Sequence, residues 1–452
     1  MTILIRIYLY FFVGMMLVFP SFAQAQEETC ELIPEAIENL ADPDLRTYNI
    51  WDVVYGVPEK DEVFYDFLPL DLERVIFSGA IRKDLSSKPF LLSTDRRGRI
   101  FWHWRGDEDN ATTSIILKRS LRIDENSFAV AGRLVRHEKN EAIWIGVFDL
   151  KGQKLQEHII EEADFDIEIT DLETSIDGKG YILSALQGVS RDEKGYVPPH
   201  ARFYLLDDAF NVIKDRSFIP AHENAIHDIM VATNSQGNKY YLAVGEARDT
   251  YSRAEGVVLS LDRHLNIGWR RSFPRGVGAR FFSVHQRTPT EIIAVGDVMP
   301  TTEEAPQAGL VISIDADLGT ERWVRYYTHP DIDYTIIDVE GLEDGRTLLV
   351  QAGYSRNEDD VVDHARYMML SPRGLLMEDL GYSMGKGARP QNMQIGPDGR
   401  IYISGSALIE APDPKDPENE VMRSQDGWLV VAEPPIAYED PCIPQMRNFN
   451  DN

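Results

Sequence analysis

The feature that most constrains this chain is internal repetition. An apolar strand ending in a small residue recurs seven times, as VIFSG at Gly79, FAVAG at Gly132, YILSA at Ala185, YLAVG at Gly245, IIAVG at Gly296, LVQAG at Gly353 and IYISG at Gly405. Each is followed by a second strand ending in Asp, a short turn, and a third strand that often carries an aromatic. The turn positions are Asp95, Asp149, Asp207, Asp262 and Asp315, with Ser371 and Ala432 in the two degenerate copies. Successive small-residue positions lie 51–60 residues apart and successive turn positions 53–61, so two independent series keep one period. HARFYLL from His200 and HARYMML from His364 occupy the same place in the third and sixth units.

A unit of this size holds four short strands with their turns, and seven such sheets arranged around an axis make an all-β, single seven-bladed β-propeller of four-stranded blades. In the fourth unit the strands are expected at 227–232, 240–245, 256–261 and 266–273. The seventh unit supplies only three, at 391–396, 400–405 and 427–432, before Pro434-Pro435. Asn49-Ile50-Trp51-Asp52-Val53-Val54-Tyr55 has no unit of its own and matches the outer strand at 266–273. It should therefore complete the last blade and close the ring, removing two open edges. The Asp turns read as structural, since Asp bonds its own following backbone and the Gly after it tolerates positive φ.

The first residues carry Arg6, an apolar run, Pro20 and Ala23-Gln24-Ala25, the pattern of a signal peptide at 1–25, with an uncleaved anchor as the other reading. The segment 26–46 follows, then the propeller over 47–442 and a tail at 443–452. No membrane insertion is expected after cleavage, and the protein is expected to be periplasmic or secreted, and a monomer. In an oxidising compartment Cys30 and Cys442 read as a disulfide across the ends of the chain, with free thiols or a metal site as the alternatives. A formal charge of -28 disfavours nucleic acid as a partner.

Asp315-Ala-Asp317-Leu-Gly319-Thr320-Glu-Arg-Trp323 resembles the tryptophan-docking repeat of quinoprotein-like (PQQ-type) propellers. The resemblance is to a repeat. The adjacent cysteine pair of the dehydrogenases in that family has no counterpart here, and no cofactor is expected. His222-Glu-Asn-Ala-Ile-His227 has one residue too many for a zinc-binding HExxH, and no metal site is expected.

Nucleophile elbows and phosphate-cradling loops are absent, so loop length guides the choice of site. The distance from small residue to turn Asp varies from 16 to 27, whereas the turns between third and fourth strands stay short. The rim with the long connections gathers Arg191, Arg248, Tyr251, Tyr354 and Arg356 as candidate ligand-binding residues, with His222 and His227 as the bases if the protein is an enzyme. The expected function is an exported, non-enzymatic binding or scaffold module for a protein or glycan. The alternative is a carbohydrate-active enzyme, such as a propeller-type polysaccharide lyase acting on acidic glycans.

Overall fold

The computed structural model describes residues 34–40, 49–56, 60–83, 86–106, 113–137, 139–188, 198–218, 221–248, 253–302, 305–356, 363–382, 387–412 and 421–432. They form seven sheets, antiparallel except for one added strand in the fifth. Blades 1 to 6 span 61–105, 113–160, 167–218, 223–273, 278–328 and 332–382, each running from the axis outward in chain order. Blade 7 takes its inner three strands from 388–432 and its outer strand from Asn49–Tyr55, paired antiparallel with Val421–Ala432 through Trp51↔Val431 and Tyr55↔Gly427. The ring closes with the expected N-terminal strand.

Blade 5 carries an unforeseen addition. Glu35–Asn39 lies parallel to Glu321–Thr328 as a fifth strand, and the Leu40 that follows it is buried against the blade 5 and 6 core. No strand had been assigned to the segment 26–46. Cys30 and Cys442 lie outside the described residues.

The second and third strands of each blade are buried on both faces, which is why they read as unbroken apolar runs such as FAVAG and AIWIGVF. Outer strands face solvent, as in Lys154–Ile160. Each of the seven junctions between neighbouring blades has its own apolar cluster. Phe64, Phe77 and Phe90 of blade 1 meet Tyr402 and Leu429 of blade 7, so the closing junction is packed like the others.

The small residues have a steric cause. A Cβ added at Gly79, Gly245 or Gly296 would stand 1.9 Å from the carbonyl oxygen of Val63, Ala225 or Arg280 on the inner strand alongside, a distance no side chain tolerates. The inner strand bulges at these points, and the backbones come too close for anything larger.

The turn aspartates are structural, as expected. Asp95, Asp149, Asp207 and Asp262 each accept hydrogen bonds from the backbone N–H groups two and four residues on, at 2.7–2.9 Å. Ser371 does the same with its hydroxyl at 3.2–3.3 Å. The tryptophan-docking resemblance also has a physical form. The rings of Trp102, Trp269 and Trp323 on one blade press on turn glycines Gly152, Gly319 and Gly374 of the next. Positive φ and lack of room both require glycine there.

Candidate functional site in the axial channel

The seven inner strands line the axis, and every one of them bulges at the same height. The register slips at Phe64/Asp66, Leu117/Arg119, Ile169/Asp171, Ile226/Asp228, Phe281/Ser283, Ile336/Asp338 and Pro390/Asn392. Each bulge inserts one residue, giving a ring of Tyr65, Lys118, Thr170, His227, Phe282, Ile337 and Gln391. All seven border one cavity of about 770 Å³.

The residue after each insertion joins a closed belt. Asp66 accepts from the Ser120 N–H at 2.5 Å, and Arg119 Nε donates to Asp171 at 2.8 Å. The other oxygen of Asp171 accepts from Ile229 N–H at 2.9 Å, and Asp228 accepts from Val284 N–H at 2.7 Å. Ser283 Oγ donates to Asp338 at 2.7 Å, Asp338 accepts from Met393 N–H at 2.8 Å, and Asn392 Nδ2 returns to Asp66 at 2.8 Å. Every junction between blades is crossed once. Burial pushes the Asp66 carboxyl up to about 7 against the pull of Arg119 and of backbone donors. Burial, together with the neighbouring Asp171 carboxylate, holds Asp228 well above the usual carboxylate range, and burial also raises Asp338.

The belt divides the channel. On the short-turn side lies a cavity of about 340 Å³ bordered by Glu173, Met230, His285, Glu340 and Gln394. Burial raises Glu173 to about 7 and Glu340 to about 8, and lowers His285 to about 4. Among the described residues no group of three or more His, Cys, Asp or Glu side chains is arranged to hold a metal ion.

On the long-loop side the larger cavity mixes aromatic faces with polar groups. Tyr65, Phe282 and Tyr354 border it together with Lys118, Glu168, His227, Arg280, Gln307, Asp333 and Gln391. Its wall is braced from behind. Arg280 grips the fully buried Asp297 with two hydrogen bonds at 2.9 and 2.6 Å, and Gln307 Nε2 donates to Asp297 at 3.1 Å and to Thr335 at 2.7 Å. The Arg280 guanidinium also covers the Phe282 ring at 5.2 Å, and the His227 ring lies 5.1 Å from it.

The structure separates the residues named from the sequence. Tyr354 and His227 border the cavity, Tyr354 with Arg389 over its ring at 5.7 Å. His227 is the inserted residue of an inner-strand bulge, and its Nε2 stands 3.6 Å from Glu246. His222 lies outside the cavity, exposed at the strand's entry and 3.9 Å from Glu223. Arg248 is half exposed, 3.9 Å from Glu223, and Arg356 stands 3.6 Å from Asp333. Arg191 and Tyr251 lie outside the described residues.

Tyr65, Lys118, Phe282 and the belt were not anticipated. Their signal is a polar residue directly before an apolar one, 13–17 residues ahead of six of the seven small-residue positions: Asp66-Phe67, Asp171-Leu172, Asp228-Ile229, Ser283-Val284, Asp338-Val339 and Asn392-Met393.

The strand pairing thus defines a seven-bladed β-propeller whose polar chemistry converges on the axis. No family model and no curated protein matches the chain. Among solved structures, a europium-containing methanol dehydrogenase is similar at 9% identity, over 85% of this chain and 92% of that one, with a TM-score of 0.43. A protein of unknown function from Dyadobacter fermentans DSM 18053 is similar at 11% identity, over 85% and 98%, with a TM-score of 0.42. The β-propeller domain of the trilobed protease from Pyrococcus furiosus is similar at 11% identity, over 80% and 95%, with a TM-score of 0.40. At these values they bear on no residue of the channel.

Proposed function

We propose that the protein is an exported, non-enzymatic binding module that takes a glycan into the long-loop mouth of its axial channel. The observation that carries this reading is the composition of the 770 Å³ cavity, in which Tyr65, Phe282 and Tyr354 alternate with amide, carboxylate and hydroxyl side chains. A sugar presents C–H faces and hydroxyl edges, and such a wall offers aromatic planes to the first and fixed hydrogen-bonding groups to the second. The bracing of Arg280, Asp297 and Gln307 keeps that wall in place before a ligand arrives, which limits the ordering cost of binding.

The test is a glycan array followed by calorimetry on the strongest hits. Tyr65→Ala should weaken binding about tenfold, the value of a lost aromatic contact. An array on which no glycan binds, or a Tyr65→Ala variant that binds like wild type, would overturn the reading.

A second reading, a carbohydrate-active enzyme, draws on one contact. His227 and Glu246 form an imidazole–carboxylate pair beside the cavity, and His227 holds Glu246 below the usual carboxylate range even though burial opposes it. Closing that 3.6 Å gap to hydrogen-bonding distance would let the carboxylate orient the imidazole as a general base. His222, outside the cavity, has no part in this version. Uronic-acid polysaccharides incubated with the protein would then yield unsaturated products, and His227→Ala would abolish them.

A further inference from the structure

We infer that the glycan site selects sugars bearing a carboxylate, and that Lys118 is the residue that reads it. This inference rests on the glycan reading above. Lys118 and Tyr65 are inserted residues of adjacent blades, so the two bulges place an ammonium over an aromatic face, with Nζ 4.3 Å from the ring centroid. The other end of the same tyrosine carries a second cation, because Arg82 donates to Tyr65 Oη at 2.9 Å. One aromatic platform is thereby flanked by two positive groups in a chain whose formal charge is -28.

The surrounding acids are largely committed. Glu141 is held by two hydrogen bonds from Arg133. Glu168 stands 3.9 Å from Lys118 and 3.6 Å from Arg133, both beyond hydrogen-bonding reach, so its ion pair with Lys118 is a long one. Asp171 is taken by Arg119. Burial and the nearby Arg119, Arg133 and Arg82 all disfavour the charge on Lys118, while Glu168 favours it, and the net effect lowers its pKa. A carboxylate entering from the cavity would relieve that crowding while making a charge-assisted hydrogen bond.

The probes are trigalacturonic acid and its methyl ester, which share shape and hydroxyls and differ in charge. Wild-type protein should bind the acid about ten- to a hundredfold more tightly than the ester, as expected for one charge-assisted contact. Lys118→Met keeps the apolar stem and removes the charge, and it should bind the acid and the ester with equal affinity. Equal binding of acid and ester by wild type, or an acid preference that survives in Lys118→Met, would overturn this inference and leave the glycan site standing. Failure of the glycan site itself would show differently: neither probe binds, and Tyr65→Ala changes the affinity of no array hit.

Discussion

Two kinds of polar residue recur around the ring, one in six blades and one in all seven, and they behave differently. The turn residues at Asp95, Asp149, Asp207, Asp262, Asp315 and Ser371 bond the backbone two to four residues ahead, so each turn is a local solution repeated. The bulge residues at Asp66, Arg119, Asp171, Asp228, Ser283, Asp338 and Asn392 bond across to the next blade, and their bonds join into one ring. Repetition at the periphery yields independent copies. Repetition at the axis yields a single network, because every inner strand shares the same small space. Among the described residues, the axis is where groups from all seven blades converge.

The largest expected difference between the two sets is in stability. Asp171→Ala strands the Arg119 guanidinium and the Ile229 N–H together, and should cost about 3 kcal/mol, as for other broken buried ion pairs. Chemical denaturation measures it. A loss no larger than that of a turn variant would mean that channel water substitutes for the carboxylate and that the belt is no network.

The axial carboxyls, in the belt and in the cavity beside it, should also respond to pH with a sign opposite to that of the turn acids. Asp66, Glu173 and Glu340 have native pKa values raised to about 7, 7 and 8 from 3.8, 4.5 and 4.5. The folded protein holds these protons after the unfolded chain has released them, so their contribution is complete below about pH 4 and is lost as pH rises to about 8. Asp95 and Asp262 have lowered pKa values: their hydrogen bonds to nearby backbone and side chains outweigh the opposing effect of what burial they have. Their contribution is present above pH 3.8 and is lost in acid. Stability should therefore peak between about pH 4 and 5 and fall by a few kcal/mol towards pH 8. Melting temperatures that rise steadily from pH 5 to 8 would contradict the raised carboxyls. The smallest effect is expected from Ser371→Ala, about 1 kcal/mol for two backbone donors left to solvent or to weaker partners.

The same contrast decides what could be read from the sequence. Turn acids and small residues are visible because their causes lie within one blade and recur at a fixed offset. The closing strand was visible because Trp51 and Tyr55 sit in a pattern shared with 266–273. The belt partners lie 52–58 residues apart along the chain at six of the junctions, and the insertions are filled by residues as unlike as Tyr65, Thr170 and Ile337. Only the ring brings them to one height. Loop length pointed to one rim, and the cavity on that side includes Tyr354 and His227. It did not distinguish residues over the channel from residues beside it, such as Arg248 and His222. The parallel strand Glu35–Asn39 had no counterpart in any repeat from which to infer it.

The central claim is that ligand recognition belongs to the axis and not to the loops around it. A crystal of the complex with the strongest-binding oligosaccharide tests this most directly. The account predicts electron density for the sugar inside the long-loop mouth, stacked on Tyr65 and within contact distance of Lys118 and Phe282. Density on the outer face of the rim beside Arg248 and His222, with the channel free of sugar, would contradict it.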